Sequence, residues 1–376
     1  MIYADNAATT KLDLEAFETM KNYLLDDYGN ASQPYSFSSS AKEVLKRTRR
    51  IIASSIGARP EEIFFTSCGT ESDNWAIKCA SMSGEVVTSV IEHHAILNPC
   101  IEIENKGQIV KYVSVDERGI IDLNVLKNAV SKNTKLVSIM LANNEIGTIQ
   151  PVTEISRIAH ENGALFHTDA VQAVGHININ VDAMGIDLLS ASAHKFNGPK
   201  GIGFLYVRKG INIEPLIKGG AQELNKRAGT ENIASIAAMG VALENNINNL
   251  EKNTIHLHSM EERIIEILDK SGVDYKRNGS VNRLPGSMSL SFRGCEGEAI
   301  LHLMDIRGIC ISTGSACDSK RTQLSHVIKA IGVPLDYAEG TVRISLGKNN
   351  TIEEADIIGN ALVVIVKEMQ FDNSIV

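Results

Sequence analysis

Six short apolar runs, separated by stretches with helical spacing, constrain this chain more than any other feature. They are IFFT at 63–66, VVTSVIE at 86–92, KLVSIMLAN at 135–143, ALFHTDA at 164–170, DLLSASAHK at 187–195 and GFLYVRK at 203–209. Several are apolar on both faces, the pattern of parallel strands covered by helices. Ahead of them Ala41, Val44, Leu45, Ile51, Ile52 and Ile56 recur at helical spacing and Gly57 supplies a stop, so an amphipathic helix is expected over 38–57. The basic run from Lys46 to Arg50 reads as its solvated face. An α/β fold follows, with residues 15–250 as a large domain around a mostly parallel sheet. The polar patch NNINNLEKN at 245–253 reads as a hinge or helix end. Beyond it SMSLSF at 287–292 alternates like a half-buried strand, TVRISL at 341–346 does so more loosely, and Asn350 or Thr351 with Glu354 marks a helix cap. Residues 1–14 and 251–376 are expected to form a smaller α+β C-terminal domain.

A formal net charge of −8 argues against standing affinity for nucleic acid or an anionic membrane. The N-terminal MIYADNAATTKLD has no basic then apolar leader pattern, and no apolar run reaches the ~20 residues of a spanning helix, so a cytoplasmic address is expected. The six cysteines show no CxxC spacing, which favours free thiols over a disulfide framework or a metal site.

In α/β sheets ligands gather at the carboxyl ends of strands. After IFFT comes Ser67-Cys68-Gly69-Thr70-Glu71-Ser72, a passage from strand to helix suited to a bound phosphate. ALFHT ends in Asp169, an acid that is costly at the end of an apolar strand unless a cation faces it. The next run ends in Ser192-Ala193-His194-Lys195, where Lys195 is a candidate Schiff-base amine. Singly these read as a helix cap, an ion pair and a solvated lysine. Together they supply the amine, the ring-nitrogen carboxylate and the phosphate cradle that pyridoxal 5'-phosphate (PLP) needs. Glu92-His93-His94 adds an imidazole that can stack on the ring or shuttle a proton. Far along the chain, ISTGSAC ends in Cys317, where small neighbours leave the thiol accessible.

The assembled motifs closely resemble the NifS/IscS-type cysteine desulfurases, aminotransferase class V enzymes of PLP fold type I. The likeness runs nearly end to end, through YADNAATT at 3–10, FFTSCGTESDN at 64–74, EHHAIL at 92–97, NNEIGTIQP at 143–151, HTDAVQAVG at 167–175, SASAHKFNGPKGIG at 190–203, GGAQELNKRAGTEN at 219–232, GSACDS at 314–319 and VRISLG at 342–347. The resemblance implies that Lys195 tethers PLP, that Asp169 pairs with the ring nitrogen and that His93 stacks on the ring and assists proton transfer. Gly69, Thr70, Ser192 and His194 would cradle the phosphate, with Thr230 supplied by the other subunit of a homodimer. Asn144 and Gln172 would orient the ring, Arg343 would hold the substrate carboxylate as a fork, and Cys317 would accept sulfur from L-cysteine. A sulfur-acceptor protein, such as an iron–sulfur scaffold or a tRNA-thiolation enzyme, would take the persulfide. Tyr35, Ser38, Cys68 and Gly69 depart from the family's usual residues. Selenocysteine lyase activity, another class V reaction and a non-catalytic sulfur-transfer scaffold are the alternatives, the last opposed by the Schiff-base lysine.

Overall fold

The computed structural model describes residues 1–80, 84–313 and 324–372. Its strands, in chain order, are β1 (Ile2–Tyr3), β2 (Ile63–Thr66), β3 (Glu85–Ser89), β4 (Val110–Val113), β5 (Thr134–Ser138), β6 (Leu165–Asp169), β7 (Leu188–Ser192), β8 (Gly203–Val207), β9 (Tyr275–Asn278), β10 (Ser287–Phe292), β11 (Ile309–Cys310) and β12 (Thr341–Ser345). Seven of these form one sheet in the order β2-β8-β7-β6-β5-β3-β4. Pairing is parallel from β7 through β4, while β8 runs antiparallel to both β7 and β2. Each of the six apolar runs contains one strand. The edge strand β4 lacks a comparable run because only Val113 of its four residues is fully buried.

Alternate residues of this sheet enter two apolar layers. Phe65, Val87, Val137, Phe166, Leu189 and Phe204 face one, and Phe64, Val86, Leu136, Leu188 and Leu205 face the other. The first layer is covered in part by the Ser39–Ile56 helix, which Gly57 ends in the left-handed conformation. The second is covered by the Gly69–Ala80 and His94–Asn105 helices, through Trp75, Ile77, Ile96 and Cys100.

A separate three-stranded sheet, β12-β10-β9, packs with the Leu250–Ser271, Gly297–Ile306 and Ile352–Asp372 helices around Met260, Ile264, Met288, Leu290, Ile300, Ile344 and Ile358. Ile2 and Ala4 join this core, β1 pairing in parallel with β11. The 245–253 patch is the junction between the Ile233–Asn248 and Leu250–Ser271 helices. Thr351 and Glu354 cap the last helix reciprocally.

Two expectations are corrected. SMSLSF is not half-buried, because every residue of β10 is covered. Its serines face a polar interior in which Asn278 Nδ2 donates to Ser289 Oγ (3.1 Å) and Ser291 Oγ (2.7 Å). The basic run of the Ser39–Ile56 helix is not wholly solvated either. Thr48 is buried against Gly240, and Arg49 reaches inward over the Phe65 ring to the Ile63 carbonyl and the buried Glu223.

Candidate active site

On the second face of the large sheet, every central strand turns from apolar to polar toward its carboxyl end. Leu136 gives way to Ser138, Leu165 to His167 and Asp169, and Leu188 to Ser190 and Ser192. Side chains two residues apart share a face, so these groups form one polar floor. The Gly69–Ala80 helix starts at its rim. A Cβ on Gly69 would lie 2.5 Å from Val171 Cγ2 and 3.5 Å from Ser192 Cβ. Only glycine lets the first helical residue come so close to the strand ends, which brings the free amides of the helix N-terminus and the exposed Thr70 beside Ser192. Behind them Glu71 accepts both arms of the Arg227 fork (2.9 and 3.1 Å) and the Ser67 amide (2.8 Å), fixing the turn.

Asp169 closes β6 and is 6% exposed. Its Oδ1 accepts the Val171 amide at 2.9 Å. Burial raises its carboxyl to about 6, with the Val171 amide and the Lys195 charge opposing the rise. Lys195 follows β7 in the Ala193–Lys195 turn, and its Nζ donates to the carbonyls of Ala7 (2.5 Å) and Ala8 (3.0 Å). Gln172 Nε2 donates to the same Ala7 carbonyl at 2.9 Å. His93 caps the His94–Asn105 helix through Nδ1, which accepts the Ala95 amide at 3.1 Å. Burial and then the Lys195 charge push its imidazole down to about 4, so it stands neutral at physiological pH. His194 is lowered to about 4 by burial and by Lys195, and its Nδ1 lies 3.2 Å from Thr9 Oγ1.

Arg343 comes from β12 in the other sheet. Its Nη1 donates to the Asn144 carbonyl (3.0 Å) and its Nη2 to Asp5 Oδ1 (2.8 Å), while the buried Nε has no partner among the described residues. The structure thus gathers Gly69, Thr70, Asp169, Ser192, His194, Lys195, His93 and Gln172 at one sheet edge and brings Asn144 and Arg343 to each other. No hydrogen bond or ion pair joins the exposed Thr230 side chain to them among the described residues. Cys317 lies outside the described residues.

Sequence reasoning missed four residues beneath this edge: Asp73, Ser138, His167 and Ser190. The available signal was the shared parity of polar residues at neighbouring strand ends. It also missed that the N-terminal strap contacts Lys195 by backbone carbonyls, which leave no mark on side-chain identity.

The donor set suits PLP. A lysine amine, a buried acid and a neutral imidazole sit together, and the helix N-terminus that Gly69 packs against Val171 offers free amides to an anion.

The family described as Aminotransferase class-V matches residues 2–358. The chain is 47% identical over 375 residues to "Cysteine desulfurase IscS" of Dictyoglomus turgidum, covering 98% of this chain and 95% of that one. Among solved structures, a "NIFS-LIKE PROTEIN" superposes with a TM-score of 0.91 at 37% identity, covering 98% of this chain and 99% of the other. "SspA in complex with cysteine" gives 0.81 at 35% identity, covering 93% and 99%.

Proposed function

Because this chain belongs to the aminotransferase class V family, we propose that it is a PLP-dependent cysteine desulfurase, which removes sulfur from L-cysteine, releases L-alanine and holds the sulfur as a persulfide on Cys317. The convergence of Lys195, Asp169 and His93 beside the Gly69–Thr70 helix start is the observation that carries this reading. Bound there, PLP supplies an electron sink for the charge left when the substrate loses its α-proton.

The chain's own groups do the rest. The Lys195 amine would tether the cofactor and, when free, would take the substrate α-proton. Asp169 keeps a proton on the ring nitrogen, where its burial strengthens the pairing. The neutral His93 ring stacks and relays protons. The helix amides with Gly69, Thr70, Ser192 and His194 hold the phosphate, and Asn144 and Gln172 orient the ring. The buried guanidinium of Arg343, whose Nε has no partner among the described residues, receives the substrate carboxylate. Cys317 thiolate then forms an S–S bond to the substrate sulfur as the Cβ–S bond breaks, and reprotonation at carbon releases alanine.

Around this chemistry we place a homodimer in which Thr230 serves the partner subunit's phosphate site, a sulfur-acceptor protein such as an iron–sulfur scaffold or tRNA-thiolation enzyme, and a cytoplasmic address. No helix among the described residues is long and apolar enough to cross a membrane. The division into 15–250 and 1–14 with 251–376 gives the cofactor to one unit and Cys317 and Arg343 to the other.

The test is the visible spectrum of the purified protein with sulfide and alanine release from L-cysteine, beside Lys195→Ala and Cys317→Ala. Loss of the cofactor band with Lys195, and loss of sulfur release with Cys317 while the band persists, support the assignment. A wild type that binds PLP without releasing sulfur refutes it.

A further inference from the structure

Asp73 lies one turn into the Gly69–Ala80 helix and points into the polar floor below the site. It is 1% exposed, and its Oδ1 has no hydrogen-bond partner among the described residues. The closest basic group, His167 Nε2, is 3.8 Å away. That imidazole is itself engaged on both sides, with Nδ1 2.9 Å from Ser138 Oγ and Nε2 3.0 Å from Ser190 Oγ, and burial pushes it down to about 3. Ser190 lies near enough to Asp73 for its hydroxyl to oppose the rise of that carboxyl, and it pairs across the sheet with Asp169. The acidic groups that act on Asp73 from the surrounding elements are Asp169 on β6, Glu92 after β3 and Cys68 ahead of its own helix. An ionised carboxylate in such a place lacks a counter-ion and leaves an oxygen unsolvated, which costs several kcal/mol.

We propose that Asp73 is a positioning residue for Asp169: it remains an un-ionised acid tied through Ser190 to His167 and Ser138, which leaves Asp169 as the ionised carboxyl presented to the ring nitrogen. The inference rests on the role given to Asp169 above. Burial and the neighbouring Asp169 both raise the Asp73 carboxyl, in keeping with the geometry.

The proton fixes the direction of the chain. An un-ionised Asp73 donates to Ser190 Oγ, the Ser190 hydroxyl donates to His167 Nε2, and His167 Nδ1–H donates to Ser138 Oγ. An ionised Asp73 turns the Ser190 hydroxyl toward itself, and His167 must then carry its proton on Nε2. The tautomer of His167 therefore reports the protonation of Asp73 without reference to turnover.

The experiment uses holoenzyme with ¹⁵N-labelled histidine, the His167 signals being assigned by their loss in His167→Gln. Equilibrium PLP binding to the apoprotein is measured beside it. Wild type and Asp73→Asn, whose amide can donate in place of the acid, are expected to show the Nδ1–H tautomer and PLP affinities within about threefold of each other. Asp73→Leu has similar size but neither donor nor acceptor, so the Ser190 hydroxyl is no longer fixed; a mixture of the two His167 tautomers and PLP weakened by about tenfold or more are expected. Should the leucine variant not fold, the asparagine variant decides alone. An Nε2–H tautomer in wild type overturns the proposal, as does an asparagine variant that misfolds, changes tautomer or loses PLP about tenfold. A wild type with the Nδ1–H tautomer but no PLP affinity instead defeats the reading of the site, and with it the purpose given to Asp73.

Discussion

The approach of Gly69 to Val171 can be tested by filling it. In Gly69→Ala the new Cβ would sit 2.5 Å from Val171 Cγ2, against the ~3.5–4.0 Å of a comfortable carbon contact. Relieving more than 1 Å of overlap requires an off-rotamer Val171 or a shifted helix start, and overpacking of this kind costs about 1–3 kcal/mol. Alanine returns ~1 kcal/mol through its helix propensity, so a net loss of about 0–2 kcal/mol remains. Val171 also donates its amide to Asp169, so the strain falls on both the proposed phosphate cradle and the acid proposed for the ring nitrogen, and PLP affinity should drop about tenfold for each 1.4 kcal/mol. Val171→Ala removes the offending methyl. In a double-mutant cycle read by urea unfolding and PLP titration, Gly69→Ala should become neutral or favourable in the Val171→Ala background, with a coupling of about 1–3 kcal/mol. A coupling below about 0.5 kcal/mol would refute the argument.

Gly203→Ala should be worse, because its Cβ would meet backbone that cannot rotate away, the Ala191 carbonyl oxygen at 2.4 Å and the Cys68 carbonyl carbon at 3.0 Å. The urea midpoint should fall further than for Gly69→Ala. Glu71 is raised by burial but lowered more by the Arg227 fork and Ser67, and ends below its ordinary 4.5. A depressed carboxyl stabilises above 4.5 and loses that contribution as pH falls through its folded value, so Arg227→Gln should flatten the acid limb of the urea midpoint against pH. Burial raises Glu92 to about 8 against the opposing bonds from Ser89 and Met140. Its contribution is complete below 4.5 and lost as pH rises through about 8, so Glu92→Gln should lose less stability than wild type between pH 6 and pH 9 in thermal melts. In the apoprotein the His93 imidazole should not titrate between pH 5 and pH 8 by NMR, and a midpoint near 6.5 would contradict its burial beside Lys195.

The strands were legible wherever burial on both faces forced apolar residues into unbroken runs, as in IFFT and GFLYV. The same logic was blind to β4, an edge strand carrying Lys111 and Tyr112, and to β9, Tyr-Lys-Arg-Asn. It misjudged β10 because alternating serine looks identical whether it faces water or a buried Asn278 and Thr341. That Lys195, Asp169 and His93 gather at the strand ends was legible because costly side chains ended apolar runs. Asp73 was not, since its meaning lies in what it faces across the sheet, and His167 showed only in its parity with the polar residues of neighbouring strand ends. Arg49 was misread for a similar reason, a cationic head being free to turn inward when a buried Glu223 waits for it.

The N-terminal strap ties the two cores at very different sequence distances. Ala7 meets Lys195 across 188 positions, whereas Asp5 meets Arg343 across 338. On a ribosome adding ~5–20 residues per second, the roughly 150 residues between those two partners take about 10–30 s to emerge. A nascent chain in that interval can already close the strap over the lysine while the guanidinium that fixes Asp5 is unmade. On the roles proposed for these residues, the lysine end of the site is then in place before Arg343 exists, which makes the order of synthesis also the order in which the site matures.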